Sequence, residues 1–152
     1  LDPAVVLYLL RTGNSSAEIE TLLNHQSGLL GVSGISADMR VLIASQDPRA
    51  REALDLFTYR AAIEIAGMAG ALGGLDAIVF TAGIGEHAPT IRAEICERLA
   101  WLGVRLDASA NAANAPRISD SDSPIDVRVM ATDEEATIAR HTLELTHEAP
   151  AA

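Results

Sequence analysis

The sequence predicts an α/β layer fold with a small, partly parallel sheet. Three observations predict it. Residues 48–72 carry apolar side chains every three or four positions, 76–82 form an apolar strand-like run, and 125–130 alternate like a second strand, with helical patterns between them. At 152 residues and 49% apolar composition the chain is long enough for one domain with its own core, and residues 1–152 are read as one. Only 3% is aromatic, so that core must be packed with Ala, Leu, Ile and Val.

In chain order, Asp2 caps a first helix with Pro3 at its first position, and Gly13-Asn14 ends it. Ser15 or Ser16 caps a second, with Glu18 and Glu20 in its first turn and Ile19, Leu22 and Leu23 facing inward. Three glycines between Gly28 and Ser36 break it, and 28–47 is the least regular part. Leu54, Phe57, Ala61, Ile65, Met68 and Leu72 then describe one buried stripe on a helix that Gly73-Gly74 terminates. The strand over 76–82 is apolar throughout after Asp76 up to Phe80, as for a strand covered on both faces. Ile91, Ile95, Leu99 and Leu102 mark another helix, Val104 to Leu106 a short strand, and 107–124 an exposed excursion. A strand at 125–130 and a helix opening at Thr132 complete the chain. Three strands are few for an independent sheet.

Asp plus Glu outnumber Lys plus Arg by 21 to 11, for a net charge of −10. That balance repels phosphate backbones and anionic membranes, so neither nucleic acid nor a membrane is an expected partner. A lone cysteine, Cys96, forms no disulfide within the chain, and no run of about 20 apolar residues spans a bilayer, which together predict a cytoplasmic location. The chain opens on Leu1-Asp2-Pro3, without a methionine and already at a helix start, as expected of a portion of something longer.

The chemistry concentrates in 78–92, IVFTAGIGEHAPTIR. A strand that runs into Gly-x-Gly and then a helix presents free N–H groups and a positive helix end at a sheet edge, a general anion and nucleotide site. Gly83 and Gly85 can take positive φ and let a ligand approach the main chain. A tight strand-to-helix turn without a ligand is the other reading. The lysine-bearing phosphate loop is excluded, since all 11 basic residues are arginines. A dinucleotide fingerprint fits better: Gly83, Gly85 and Ala88 occupy its glycine positions and Asp107 its acidic one. Glu86 opposes it, because a carboxylate in the turn repels a pyrophosphate.

Taken in order, Asp2-Pro3, SGLLGVSGISADMR (27–40), the long helix, LDAIVFTAGIGE (75–86) and ATDEEATIAR (131–140) resemble the acetate kinases, of the acetate and sugar kinase, heat-shock protein and actin superfamily. The resemblance covers essentially the whole chain. It implies the C-terminal nucleotide-binding domain of a ribonuclease H-like, actin-like ATPase fold, with a small mixed sheet flanked by helices. It also implies reversible transfer of the γ-phosphoryl group of ATP to acetate, giving acetyl phosphate and ADP, with Mg2+, in an enzyme that is usually a homodimer. Propionate kinases share these landmarks, so the acceptor is acetate or another short-chain carboxylate.

By the same resemblance Gly83, Ile84, Gly85, Glu86 and His87 form the adenosine-contacting loop, with the glycines against the nucleoside, which removes the objection to Glu86. Asp38, Met39 and Arg40 match a second nucleotide-contacting segment, and Glu134 the magnesium-associated glutamate. His87 and Asp133 both stand where the family has Asn. Local chemistry is compatible with these assignments. A carboxylate at Asp38 can accept from ribose hydroxyls and the Arg40 guanidinium can stack on adenine, although a surface ion pair explains both equally. Thr132 and Glu135 read as a capping box, which leaves Glu134 for a hard cation. No catalytic residue is assigned. The family's catalytic aspartate, histidine and arginines belong to segments upstream of Leu1, so the chain is expected to be inactive without that N-terminal domain. A non-catalytic remnant or dimerisation module, and a dinucleotide-binding domain, are the alternatives.

Overall fold

The computed structural model describes residues 1–147, with the side chains of Glu134, Glu135, Thr137, Leu145 and His147 outside the description. The chain divides into two compact units, Leu1–Ile65 and Ala66–Ala152.

The first unit opens with α1 (Pro3–Arg11), where the Asp2 carboxylate accepts from the Ala4 N–H at 2.8 Å and Pro3 takes the first turn. None of its residues is buried. Helix α2 (Ser16–His25) starts at a full capping box: the Ser15 hydroxyl accepts from Glu18 N–H at 3.3 Å, and the Glu18 carboxylate accepts from Ser15 N–H at 2.7 Å. Ile19 is its buried residue, while Leu22 stays exposed.

Residues 28–47 are more ordered than the glycines suggest. They form α3 (Gly28–Ser33) and α4 (Met39–Ala44), because local groups satisfy the helix ends. Gly34, at φ 64°, closes α3, the buried Ser33 hydroxyl accepts from Ile35 N–H at 3.0 Å, and Asp38 caps α4. Helix α5 (Pro48–Leu72) then begins, and within this unit it buries Ala50, Ala53, Leu54, Thr58 and Ala62. The expected stripe holds at Leu54 and partly at Phe57, Ala61 and Ile65 but fails at its end. Met68 and Leu72 are 62% and 75% exposed, and the buried position in the last turns is Ala69. The helix outruns the cover over its apolar edge, so periodicity gives the direction of the face and not its extent.

In the second unit β1 (Ala77–Phe80) pairs in parallel with β2 (Asp126–Val129), in the register Ala77 to Asp126 and Phe80 to Val129. Between them run α6 (Ala82–His87), α7 (Pro89–Arg98), a 3-10 turn at Ala100–Leu102 and α8 (Ala108–Ala112). This is the helical crossover that a parallel pair requires. Ile78, Phe80 and Val127 are buried, but Val79 is 49% exposed, so β1 has one open face where the sequence suggested two covered ones. The expected strand at Val104 to Leu106 reduces to a single antiparallel bridge, Leu106 to Ser119, because Gly103 and the helix cap at Asp107 confine it.

The stretch 107–124 is packed rather than an excursion. Ile118 is fully buried, its N–H donates to Val127 O at 2.8 Å, and Arg117 bridges antiparallel to Arg128. The last helix, α9 (Glu134–His147), is capped by Asp133, whose carboxylate accepts from Ala136 N–H at 2.8 Å, and not by Thr132.

Asp126 fastens this edge. Its carboxylate accepts from Arg128 Nε at 2.6 Å, Arg117 Nε at 2.8 Å and the Ser119 hydroxyl at 3.1 Å. The Arg128 bond, followed by those from Arg117 and Ser119, holds its pKa down at about 2, against 3.8 ordinarily. A depressed folded-state pKa contributes stability that is present above the unfolded value and lost as pH falls through the folded one. Urea midpoints of the wild-type chain are therefore expected to drop between pH 4 and pH 2, and those of Asp126→Asn to drop less. Equal drops would show that these ion pairs leave stability unchanged.

Candidate functional site

Strand β1 ends at Phe80, Thr81 remains extended, and α6 begins at Ala82 with φ 57°. The left-handed residue at the turn is thus an alanine, and both glycines sit inside the helix without positive φ. A non-glycine residue there stores on the order of 1–3 kcal/mol of strain. The two glycines have different physical reasons. A Cβ on Gly85 would lie 3.0 Å from the Phe80 carbonyl carbon and 3.4 Å from its Cα, so the bare residue lets α6 fold back against the strand end. A Cβ on Gly83 would meet nothing within 4 Å, which leaves an open, uncovered stretch of main chain.

Glu86 is turned toward Thr132. Its Oε1 accepts from Thr132 N–H and from the Thr132 hydroxyl, both at 3.0 Å. The Thr132 N–H bond lowers the carboxyl's pKa most, with the hydroxyl and the nearby His87 acting in the same direction against desolvation. The turn is thereby tied to the residue two positions before Glu134, which opens α9 and whose side chain lies outside the described residues. Ile84 is half-buried and His87 exposed.

Beneath the turn lies a residue that sequence reasoning missed. The Arg92 side chain is 0% exposed, and each of its five N–H groups is used. Nε donates to Asn111 Oδ1 at 2.8 Å, Nη1 to Gly85 O at 2.8 Å and Glu86 O at 3.0 Å, and Nη2 to Asn111 O at 2.8 Å and Asn114 Oδ1 at 2.6 Å. Asn111 Nδ2 in turn donates to Pro89 O at 2.8 Å. All five acceptors are neutral oxygens. Burial lowers the Arg92 pKa, yet arginine keeps its charge. The available sequence signal was a charged residue beside Ile91, on the helix directly after the glycine turn.

In the first unit, the Asp38 carboxylate caps α4 by accepting from Arg40 N–H at 2.9 Å, and it also receives Arg40 Nε at 3.1 Å and Nη2 at 2.6 Å. The pair is exposed, with the Arg40 side chain 89% accessible, so its guanidinium faces can be reached. Met39 is 5% exposed and belongs to the core. The nucleotide-contacting candidates therefore fall in two groups: Asp38, Met39 and Arg40 in the first unit, and Gly83 to His87, linked through Glu86 to Thr132, in the second.

Asp107 is engaged as the cap of α8, its Oδ1 accepting from Ser109 and Ala110 N–H at 2.8 and 3.0 Å, which gives this acid a structural task apart from the one a dinucleotide reading assigns it. Among the described residues, no group of three or more His, Cys, Asp or Glu is placed to hold a metal ion. Among the described residues no helix is long and apolar enough to cross a membrane.

A sequence model of the Acetokinase family matches residues 1–140. An acetate kinase of Rhodopseudomonas palustris is 59% identical over 148 residues, and one of Rhizobium meliloti 53% over 146; each match covers 95% of this chain and 37% of the relative. The chain thus spans little more than a third of the length of these relatives. Among solved structures, an acetate kinase of Porphyromonas gingivalis matches 96% of the chain and 38% of its own, at TM-score 0.85 and 35% identity. A propionate kinase of Francisella tularensis matches 92% and 37%, at TM-score 0.84 and 39% identity. The mixed α/β architecture with its small parallel sheet is that of these kinases, and the chain belongs to the acetokinase family.

Proposed function

We propose that residues 1–152 form the adenosine-binding portion of an acetate kinase, which transfers the γ-phosphoryl group of ATP reversibly to acetate. The observation that carries this reading is the open main chain at Gly83, at the end of a parallel strand and within a family match that runs from 1 to 140. In this reading Gly83, Ile84, Gly85 and His87 line the nucleoside, and Asp38, Met39 and Arg40 supply the second contact. Met39 contributes main chain only, since its side chain is core. Glu86 acts through Thr132.

Phosphoryl transfer depends on positioning and on neutralising the transferring group. Magnesium arrives with the nucleotide phosphates and needs only one or two protein carboxylates, so a single glutamate at the start of α9, Glu134, is the fitting donor. The cationic and acidic groups around acetate and the γ-phosphate are expected from the remaining length of the full enzyme. The same holds for the choice between acetate and propionate, and the full enzyme is expected to be a homodimer. A cytoplasmic location follows from the same reading.

Isothermal titration of the chain with Mg-ADP and Mg-ATP tests the proposal. Gly83→Val places a branched side chain into the open space, so affinity is expected to fall about tenfold or more while the thermal midpoint stays close to wild type. Unchanged affinity in that variant would remove the glycine turn from the site. A full absence of heat with the wild-type chain would favour a non-catalytic relative that keeps the architecture.

A further inference from the structure

Arg92 lies on α7, outside every segment assigned to the nucleotide, yet two of its five hydrogen bonds go to the carbonyls of Gly85 and Glu86. These are carbonyls at the C-terminal end of α6, a six-residue helix too short to hold its own shape. The other three bonds fix Asn111 and Asn114. Asn111 returns a bond to Pro89 O, at the joint between α6 and α7. The fork therefore ties the end of the glycine helix, the joint that follows it and the last turn of α8 with Asn114 beyond it to one rigid, fully buried guanidinium.

From this geometry we infer that Arg92 is a positioning residue of the nucleotide site: it sets the backbone of 83–87 from beneath, without touching the ligand. The inference rests on the adenosine-loop reading given above. Arginine is required here and lysine is not its equivalent. Five N–H groups in a fixed plane meet five acceptors, whereas an ammonium offers three in a different geometry. Gly85 and Arg92 act on the same short helix. The missing Cβ lets α6 close on Phe80, and the guanidinium holds it closed.

The test uses the 152-residue chain and two readouts, amide hydrogen exchange without ligand and Mg-ADP affinity by titration. In Arg92→Lys, exchange across 83–88 is expected to rise about tenfold beyond any rise at the β1 and β2 amides, and the Mg-ADP Kd to rise about tenfold or more. Val127→Ala is the control, a fully buried residue that makes none of the Arg92 bonds. It is expected to lose stability and to keep its Kd within about twofold, as uncoupled sites do. Asn114→Gly, which removes one acceptor and takes the φ of 51° at that position without strain, should give a smaller change in the same direction and decides the question if Arg92→Lys does not fold.

Wild-type exchange and affinity in Arg92→Lys would overturn the inference, as would equal weakening of binding in Arg92→Lys and Val127→Ala. Altered exchange in a chain whose wild type binds no Mg-ADP would instead overturn the nucleotide reading, and the clamp on the loop would stand as a structural device.

Discussion

Arg92→Ala is expected to destabilise the chain by about 3–5 kcal/mol, measured as a shift of the urea midpoint at constant m-value. The reasoning starts from the acceptors left behind. Gly85 O, Glu86 O, Asn111 O and the side-chain oxygens of Asn111 and Asn114 all receive their bonds from this guanidinium. Both Asn111 oxygens are buried, and each costs about 1–3 kcal/mol when orphaned; the other three acceptors are part-buried and regain water at a smaller cost, which keeps the sum below simple addition. Arg92→Met separates polarity from packing, because it refills most of the space and restores no donor. It should remain nearly as unstable as the alanine variant. A loss below about 1 kcal/mol in both would mean that the network relaxes onto other donors and that its geometry carries little energy.

Gly85→Val is the second large effect, expected at about 2–3 kcal/mol. The atom in the way is the Phe80 carbonyl carbon at 3.0 Å, part of the backbone of β1, and it cannot rotate aside as a side chain would. Relief requires α6 to lift from the strand end, which also lengthens the Arg92 bonds to Gly85 and Glu86. Gly83→Ala provides the contrast. With open space around the new Cβ and helical backbone, it should be neutral or stabilising by up to about 1 kcal/mol. Equal stability in the two variants would show that α6 is not closely seated on the strand. The contrast also makes Gly83, and not Gly85, the position at which to probe ligand contact, since a substitution at Gly85 confuses binding with folding.

Features determined within a few residues were legible in the sequence. Asp2-Pro3, Ser15 with Glu18, and Gly73-Gly74 mark helix ends because the groups that satisfy those ends are neighbours along the chain. The fold class was legible too, since it follows from the order of periodicities. The short helices α3 and α4 were hidden, because their glycines and serines read as loop while acting as caps and turns. The strand at Val104 to Leu106 was over-read, because alternating apolarity does not reveal whether a partner runs alongside for long enough to form a ladder.

At the site, the glycine turn stood out by pattern, but the separate tasks of its two glycines are a matter of distances to Phe80. The Arg92 network could not be read beyond a charged residue beside Ile91. Its asparagine partners lie 19 and 22 residues away, in a stretch whose Asn, Ala and Ser content reads as exposed loop. Likewise, Thr132 looked like a helix cap until Asp133 was seen to hold that position and Thr132 to bind Glu86.

Cys96, on the helix that carries Arg92, is 2% exposed, and burial pushes its thiol up to about 12. It is also the sole sulfhydryl of the chain. A protonated thiol buried at the wall of the cavity that Ala93, Glu97, Val104 and Leu106 also line reacts slowly while the second unit stays closed, since only the thiolate reacts. The molecule thus contains its own stopwatch. Uptake of a thiol reagent under native conditions counts opening events one at a time, at a rate set by unfolding when the reagent is in excess. The chain needs no dye, tag or engineered cysteine to report how long its second unit stays shut.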